Sequence, residues 1–187
     1  HLGIPIVVIT DIDPVKETLV QKTGQKVRKA HFVDDPSDLE SGNPTLKNWH
    51  PKKVALTDFS SLSGDDLVCT NEIGGRVRFA WQIPMKESGA WPSSFEDSII
   101  LHNQRWFRSL SDESGALKSV MSVAKKHSCP LELNRALHDL LRGSLNKGDF
   151  ASTIFEKLSL DNKIDCPEYI TDALEWLEKE LNLVEPL

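Results

Sequence analysis

Ile4-Pro5-Ile6-Val7-Val8-Ile9-Thr10-Asp11-Ile12-Asp13-Pro14 is the stretch whose reading decides the fold. Its apolar run does not alternate, so it reads as a strand buried on both faces, the pattern of a parallel sheet flanked by helices. Pro5 suits the start or the edge of such a strand. Asp11 and Asp13 follow at its carboxyl end, where open α/β sheets place their ligands. A strand this central, so close to the first residue, leads to the expectation that the domain begins upstream of His1.

Working outward, Gln21 to Lys53 is polar and broken by Gly24, Pro36, Gly42, Pro44 and Pro51, which predicts loops and short pieces. Arg76 to Ile83 alternates and is rich in β-formers, predicting a strand. Helical spacing predicts helices over Ser94 to about Phe107, Leu117 to Ala124, Leu131 to Leu141, Phe150 to Leu158 and Glu168 to Leu181. The expected fold class is α/β, with a helical back half. The expected division is 1–108 as a catalytic core, 109–145 as a helical subdomain and 146–187 as a segment returning Lys147 to the core.

With 187 residues, 39% of them hydrophobic and 27% charged, the chain has enough material for one core and a smaller satellite. No apolar run approaches the roughly 20 residues needed to cross a bilayer, and no secretory leader is visible, so no membrane partner is expected. Cys69, Cys129 and Cys166 are too scattered for a disulfide framework or a zinc site, and a reducing cytoplasm fits them. The formal charge of −6 is uneven: residues from Asp149 onward carry a net −7, whereas His1 to Gly148 carry a net +1. The front of the chain therefore tolerates a polyanionic partner.

Two aspartates separated by one residue beyond a strand project the same way, about 6.5 to 7 Å apart at the backbone, and can converge on a hard divalent cation. The plainer reading makes Asp13 a helix N-cap with Pro14 in the first helical position. In Ser93-Ser94-Phe95-Glu96-Asp97, either Ser93 with Glu96 or Ser94 with Asp97 forms a capping box, and Glu96 in a first helical turn can also present a carboxylate to a metal. If Asn146 caps the next helix, Lys147 takes its first position, where a cation is mildly disfavoured and a phosphate is a reason for it.

Asp11-Ile12-Asp13-Pro14-Val15 also fits the opening of haloacid-dehalogenase-like phosphatases, with Asp11 as nucleophile. Gly64-Asp65-Asp66 imitates that family's late acidic motif but arrives too early. The six histidines show no zinc-hydrolase spacing, and Gly74-Gly75 lacks the context of a phosphate loop.

Taken in order, IPIVVITDIDP (4–14), SGNPTLKNWHP (41–51), WPSSFEDSIILHN (91–103), NKGDFA (146–151) and PEYITDALEWL (167–177) resemble the carboxyl-terminal Toprim nuclease region of the overcoming-lysogenization-defect (OLD) family of ATP-dependent endonucleases. The resemblance implies a Toprim-like, Rossmann-like parallel sheet flanked by helices, with an additional helical subdomain. It implies a catalytic set of Asp11, Asp13, Glu96 and Lys147, in which Asp11, Asp13 and Glu96 hold one or two magnesium ions, with manganese as a substitute. Lys147 then stands near the scissile phosphate. The implied activity is DNA endonuclease cleavage. The implied partners are DNA and an amino-terminal ABC-type ATPase, with homo-oligomers forming through that ATPase region. A Toprim glutamate on an earlier strand has no counterpart among these residues. The competing readings are the phosphatase and a catalytically idle Toprim-like binding module.

Overall fold

The computed structural model describes residues 4–21, 24–72, 74–111, 113–161 and 164–183. In chain order its elements are β1 (Ile6–Ile9), β2 (Pro14–Leu19), β3 (Lys26–Ala30), β4 (Glu40–Ser41), α1 (Pro44–Asn48), α2 (Leu56–Ser60), β5 (Val68–Thr70) and β6 (Arg76–Ala80). There follow α3 (Phe95–His102), α4 (Gln104–Ser109), α5 (Gly115–Lys126), α6 (Pro130–Gly143), α7 (Lys147–Asp161) and α8 (Glu168–Leu183). Contacts gather the chain into two units, residues 1–83 with 168–187, and residues 84–167.

The first unit is mixed α/β. β1 runs parallel to β6, and β5 runs antiparallel to β6, in the order β1-β6-β5. A second, antiparallel sheet has the order β3-β2-β4. The parallel pairing of the opening strand agrees with its sequence. Its expected burial does not: β1 is an edge strand among the described residues, and Ile6 and Ile9 are 45% and 43% exposed. α8 covers part of this sheet, with Tyr169 and Ala173 packed against Ala80, Val7 and Ile170. Phe59 meets Trp81 edge to face at 5.4 Å, and Trp49 meets Phe79 the same way at 4.8 Å.

The second unit is helical. Ile99, Ile100 and Leu101 of α3, Phe107 of α4, Leu117 and Val120 of α5, Leu133 and Leu137 of α6, and Phe150 and Ile154 of α7 form one core. Apolar residues at spacings of three and four place one stripe of each helix inward. The single helix expected from Ser94 to Phe107 is broken at Asn103, whose side chain donates to the Ile99 carbonyl at 2.8 Å and to the Asp165 carbonyl at 2.9 Å. An amide competing with the backbone in this way ends a helix that apolar spacing alone would continue. Contacts therefore divide the chain elsewhere than 1–108, 109–145 and 146–187. α3, α4 and α7 share the helical core, and α8 returns to the sheet.

Among the described residues no helix is long and apolar enough to cross a membrane. Leu117 is fully buried at the centre of the helical core. Leu117→Ala is expected to lower unfolding free energy by about 2–5 kcal/mol, read by urea denaturation, because the lost transfer energy is joined by the cavity left behind. A loss below about 1 kcal/mol would contradict the core described here.

Candidate active site

Asp11 and Asp13 lie beyond the last residue of β1, in the turn that carries the chain into the second sheet. Asp13 has a φ of +47°, left-handed backbone that aspartate tolerates better than most residues. Pro14 begins β2, so the N-cap reading of Asp13-Pro14 is corrected: a strand, with no helix to cap, follows. The period-two expectation for the acids is also replaced. Ile12 is fully buried, Asp11 half-buried and Asp13 exposed, in a turn with no strand geometry.

Three buried polar side chains hold this turn. Gln82, just past the carboxyl end of β6, accepts from the Ile12 N–H at 2.8 Å and donates to Asp11 Oδ1 at 2.7 Å. The Ser41 hydroxyl donates to the Ile12 carbonyl at 2.8 Å. Asn43 Nδ2 donates to Thr10 Oγ1 at 2.7 Å and to the Asp11 carbonyl at 2.6 Å, while its Oδ1 caps α1. Gly42 N–H reaches the Asp13 carbonyl at 2.6 Å, and a Cβ on Gly42 would stand 2.9 Å from that oxygen. Gly42 is therefore glycine because the turn passes so closely.

In the helical unit, Ser94 is the N-cap of α3 and Asp97 completes the capping box, which selects the second of the two registers that the sequence offers. Asp97 is fully buried and takes the backbone N–H and the hydroxyl of both Ser93 and Ser94, at 2.8–3.2 Å. Burial nevertheless pushes its carboxyl up to about 6, because desolvation outweighs these four donors.

With Asp97 serving as the cap, Glu96 meets a different partner. Lys147 Nζ donates to Glu96 Oε2 at 3.1 Å, across 51 residues of sequence. Burial works to raise the Glu96 carboxyl, but its own backbone N–H, the Ser94 hydroxyl and the Lys147 ammonium outweigh it and hold it below the usual range. Lys147 opens α7, as expected, with Asn146 accepting from the Asp149 N–H at 3.1 Å. Asp149 in turn accepts from the Ala116 N–H at 2.8 Å, tying the start of α7 to the start of α5.

No protein-family model, curated protein or solved structure matches the chain. Function is therefore read from the residues alone.

Of the four residues that the sequence singled out, Glu96 and Lys147 are brought together in the helical unit, and Asp11 and Asp13 share the turn after β1 in the α/β unit. Within neither unit do three His, Cys, Asp or Glu side chains of the described residues converge as a metal cluster. The chemistry of the donors still fits a hard cation: Asp11, Asp13 and Glu96 offer only carboxylate oxygens, and Lys147 keeps Glu96 ionised. Ser41, Asn43 and Gln82 position the turn without having been picked out as site residues. Their burial as polar side chains is a structural signal, although Ser41 and Asn43 fall within a motif quoted above.

Two cationic candidates for DNA are committed elsewhere. Arg108 donates to the carbonyls of Ala124, His127 and Ser128, and Arg76 pairs with Glu180 while lying over the Trp176 ring. The aspartates of Gly64-Asp65-Asp66 sit in a 3-10 turn, where Asp66 completes a capping box with Ser63.

The two neighbouring carboxyls give opposite pH signatures. Asp97, raised when folded, contributes stability that is complete below about 4 and is lost as pH rises through about 6, by up to roughly 3 kcal/mol. Asp97→Asn is expected to flatten that slope in urea titrations from pH 4 to pH 7. Glu96, lowered when folded, contributes stability above its usual range that is lost as pH falls through its depressed value. Lys147→Met is expected to shift that loss to higher pH at a cost of about 0.2–1 kcal/mol, since the lysine is half exposed. Gly42→Ala is expected to cost about 1–3 kcal/mol by overpacking against the Asp13 carbonyl.

Proposed function

We propose that this chain is the catalytic part of a magnesium-dependent DNA endonuclease of the Toprim type, similar to the nuclease region of the OLD family. The observation that carries the reading is the Glu96–Lys147 pair. Two residues assigned to one reaction centre on separate sequence segments stand 3.1 Å apart, and neither caps the helix it belongs to. The buried clamp on the turn bearing Asp11 and Asp13 supports it further, since a turn that served only to connect two sheets would not call for Gln82, Ser41 and Asn43 together.

In this reading Asp11, Asp13 and Glu96 are the metal ligands. A bound magnesium or manganese ion supplies charge neutralisation and activation of water for attack on the phosphodiester. Gln82 orients the Asp11 carboxylate through Oδ1. Asp13, exposed and without a side-chain partner among the described residues, presents its oxygens to solvent. Lys147 holds Glu96 as the anion and offers further ammonium protons to a phosphate oxygen, where positive charge opposes the charge building during displacement. DNA is held through its backbone, with affinity falling as salt rises. The ATPase partner and the cytoplasmic setting belong to the same proposal.

The test is nicking of supercoiled plasmid by the full-length protein in magnesium or manganese. Cutting is expected to stop with a chelator and to fall by roughly a hundredfold or more in Asp13→Ala, Glu96→Gln and Lys147→Met, with melting temperatures near that of the parent. Undiminished cutting by Asp13→Ala would reject the assignment. Turnover of a small phosphomonoester, abolished by Asp11→Asn, would favour the phosphatase.

A further inference from the structure

Beside the sheet of the first unit is a cavity of about 190 Å3 that uses none of Asp11, Asp13, Glu96 or Lys147. Leu62, Leu67, Phe79 and Ile83 give it apolar walls, and Tyr169 and Asp172 of α8 contribute the side facing β6. Two donors at this cavity are anomalous. Trp81 is 2% exposed and its indole Nε1 finds no acceptor among the described residues. Arg78, which also lines the cavity, has its Nε buried and likewise without an acceptor.

A buried donor left unmatched costs about 1–3 kcal/mol, and more when it carries charge, so native proteins rarely keep two around one space without a reason. Neighbouring polar groups show that the chain can satisfy such groups here. The Tyr169 hydroxyl meets Gln82 Nε2 at 3.1 Å, and Arg76, two residues before Arg78 on the same strand, is paired with Glu180. Arg78 forms no ion pair with Asp172, although both line the cavity.

We propose that this cavity binds a small carboxylate with a compact apolar body, the carboxylate meeting Arg78 and Trp81 Nε1 and the body lying against Leu62, Leu67 and Phe79. Size favours one ring or its aliphatic equivalent, because an apolar cavity of about 150 Å3 accepts benzene. Charge favours a single anionic group, since the guanidinium attracts it while Asp172 opposes a second one.

Benzoate is the probe, and the readout is the indole N–H region of proton–nitrogen NMR spectra, in which Trp81→Phe identifies the Trp81 resonance by its loss. Benzoate is expected to move that resonance saturably. Arg78→Met and Trp81→Phe are each expected to weaken binding roughly tenfold or more, as loss of a charge-assisted or buried hydrogen bond does. Should either variant unfold on thermal melting, benzyl alcohol and inorganic phosphate on the parent protein decide. Both are expected to bind at least tenfold more weakly than benzoate at this resonance. No movement of the Trp81 resonance up to the solubility of benzoate, or equal binding of benzyl alcohol or phosphate, would overturn the assignment.

Discussion

Between β1 and β2 the backbone leaves one sheet and enters another within four residues, and the peptide groups of Thr10 to Asp13 lose their ladder partners as it does so. Buried backbone groups must be paired, and here each partner comes from a different part of the chain. The Thr10 N–H goes to the Ala80 carbonyl, the Ile12 N–H to Gln82, the Ile12 carbonyl to Ser41, the Asp11 carbonyl to Asn43 and the Asp13 carbonyl to the Gly42 N–H. This one turn explains why Ser41, Asn43 and Gln82 are polar and yet 5% exposed or less. It also makes the placement of Asp11 and Asp13 depend on segments 41–43 and 80–82, so substitutions there act on the aspartates without touching them.

The helical unit solves the same problem at helix starts. Four backbone N–H groups lack intrahelical partners at each such end. Asp97 satisfies those ahead of α3, Asn146 serves α7, and Asp149 of α7 reaches across to the Ala116 N–H of α5. Because Asp149 stands two residues after Lys147, the bond that starts α5 also fixes where the lysine emerges. Phe107 and Phe150, stacked with centroids 6.3 Å apart, hold that end of α7 against α4 from the apolar side.

Local signals were legible in the sequence wherever one element was enough to produce them. The parallel pairing of β1, the existence of α5 to α8, the cap at Asn146 and the capping register Ser94–Asp97 all follow from spacing and side-chain chemistry within a few residues. Four features did not. β2 was hidden because Asp-Pro reads as a helix start, and only the pairing of Val15 to Leu19 with β3 decides otherwise. The break at Asn103 depends on the Asp165 carbonyl, 62 residues away. The edge position of β1 depends on which strands stand beside it, which an apolar run does not encode. The clamp of Ser41, Asn43 and Gln82 is set by tertiary contacts alone. For the candidate site, the residue types and two local placements were legible, and the meeting of Glu96 with Lys147 was not derivable from either segment by itself.

Glu96 and Asp97 are adjacent carboxyls with opposite environments, and the contrast sorts their roles. Asp97 is fully buried, ringed by the donors of Ser93 and Ser94, and raised to about 6 by the loss of water around it. A carboxylate so enclosed has no open lone pair to give away, so it is an anchor for the start of α3. Glu96 emerges one residue earlier and is held below the usual carboxylate range. It therefore remains charged at any pH where the protein is expected to work, which is what a ligand for a hard cation requires and what a general acid must avoid. If Lys147 served only to balance that charge, a surface ion pair worth about 0.2–1 kcal/mol would be the whole of its contribution. Its position at the start of α7 argues against that economy, because a cation there opposes the helix dipole by a comparable amount. The near cancellation removes stability as a sufficient reason for the pair and leaves, in the proposed reading, the handling of a phosphate as the use that remains.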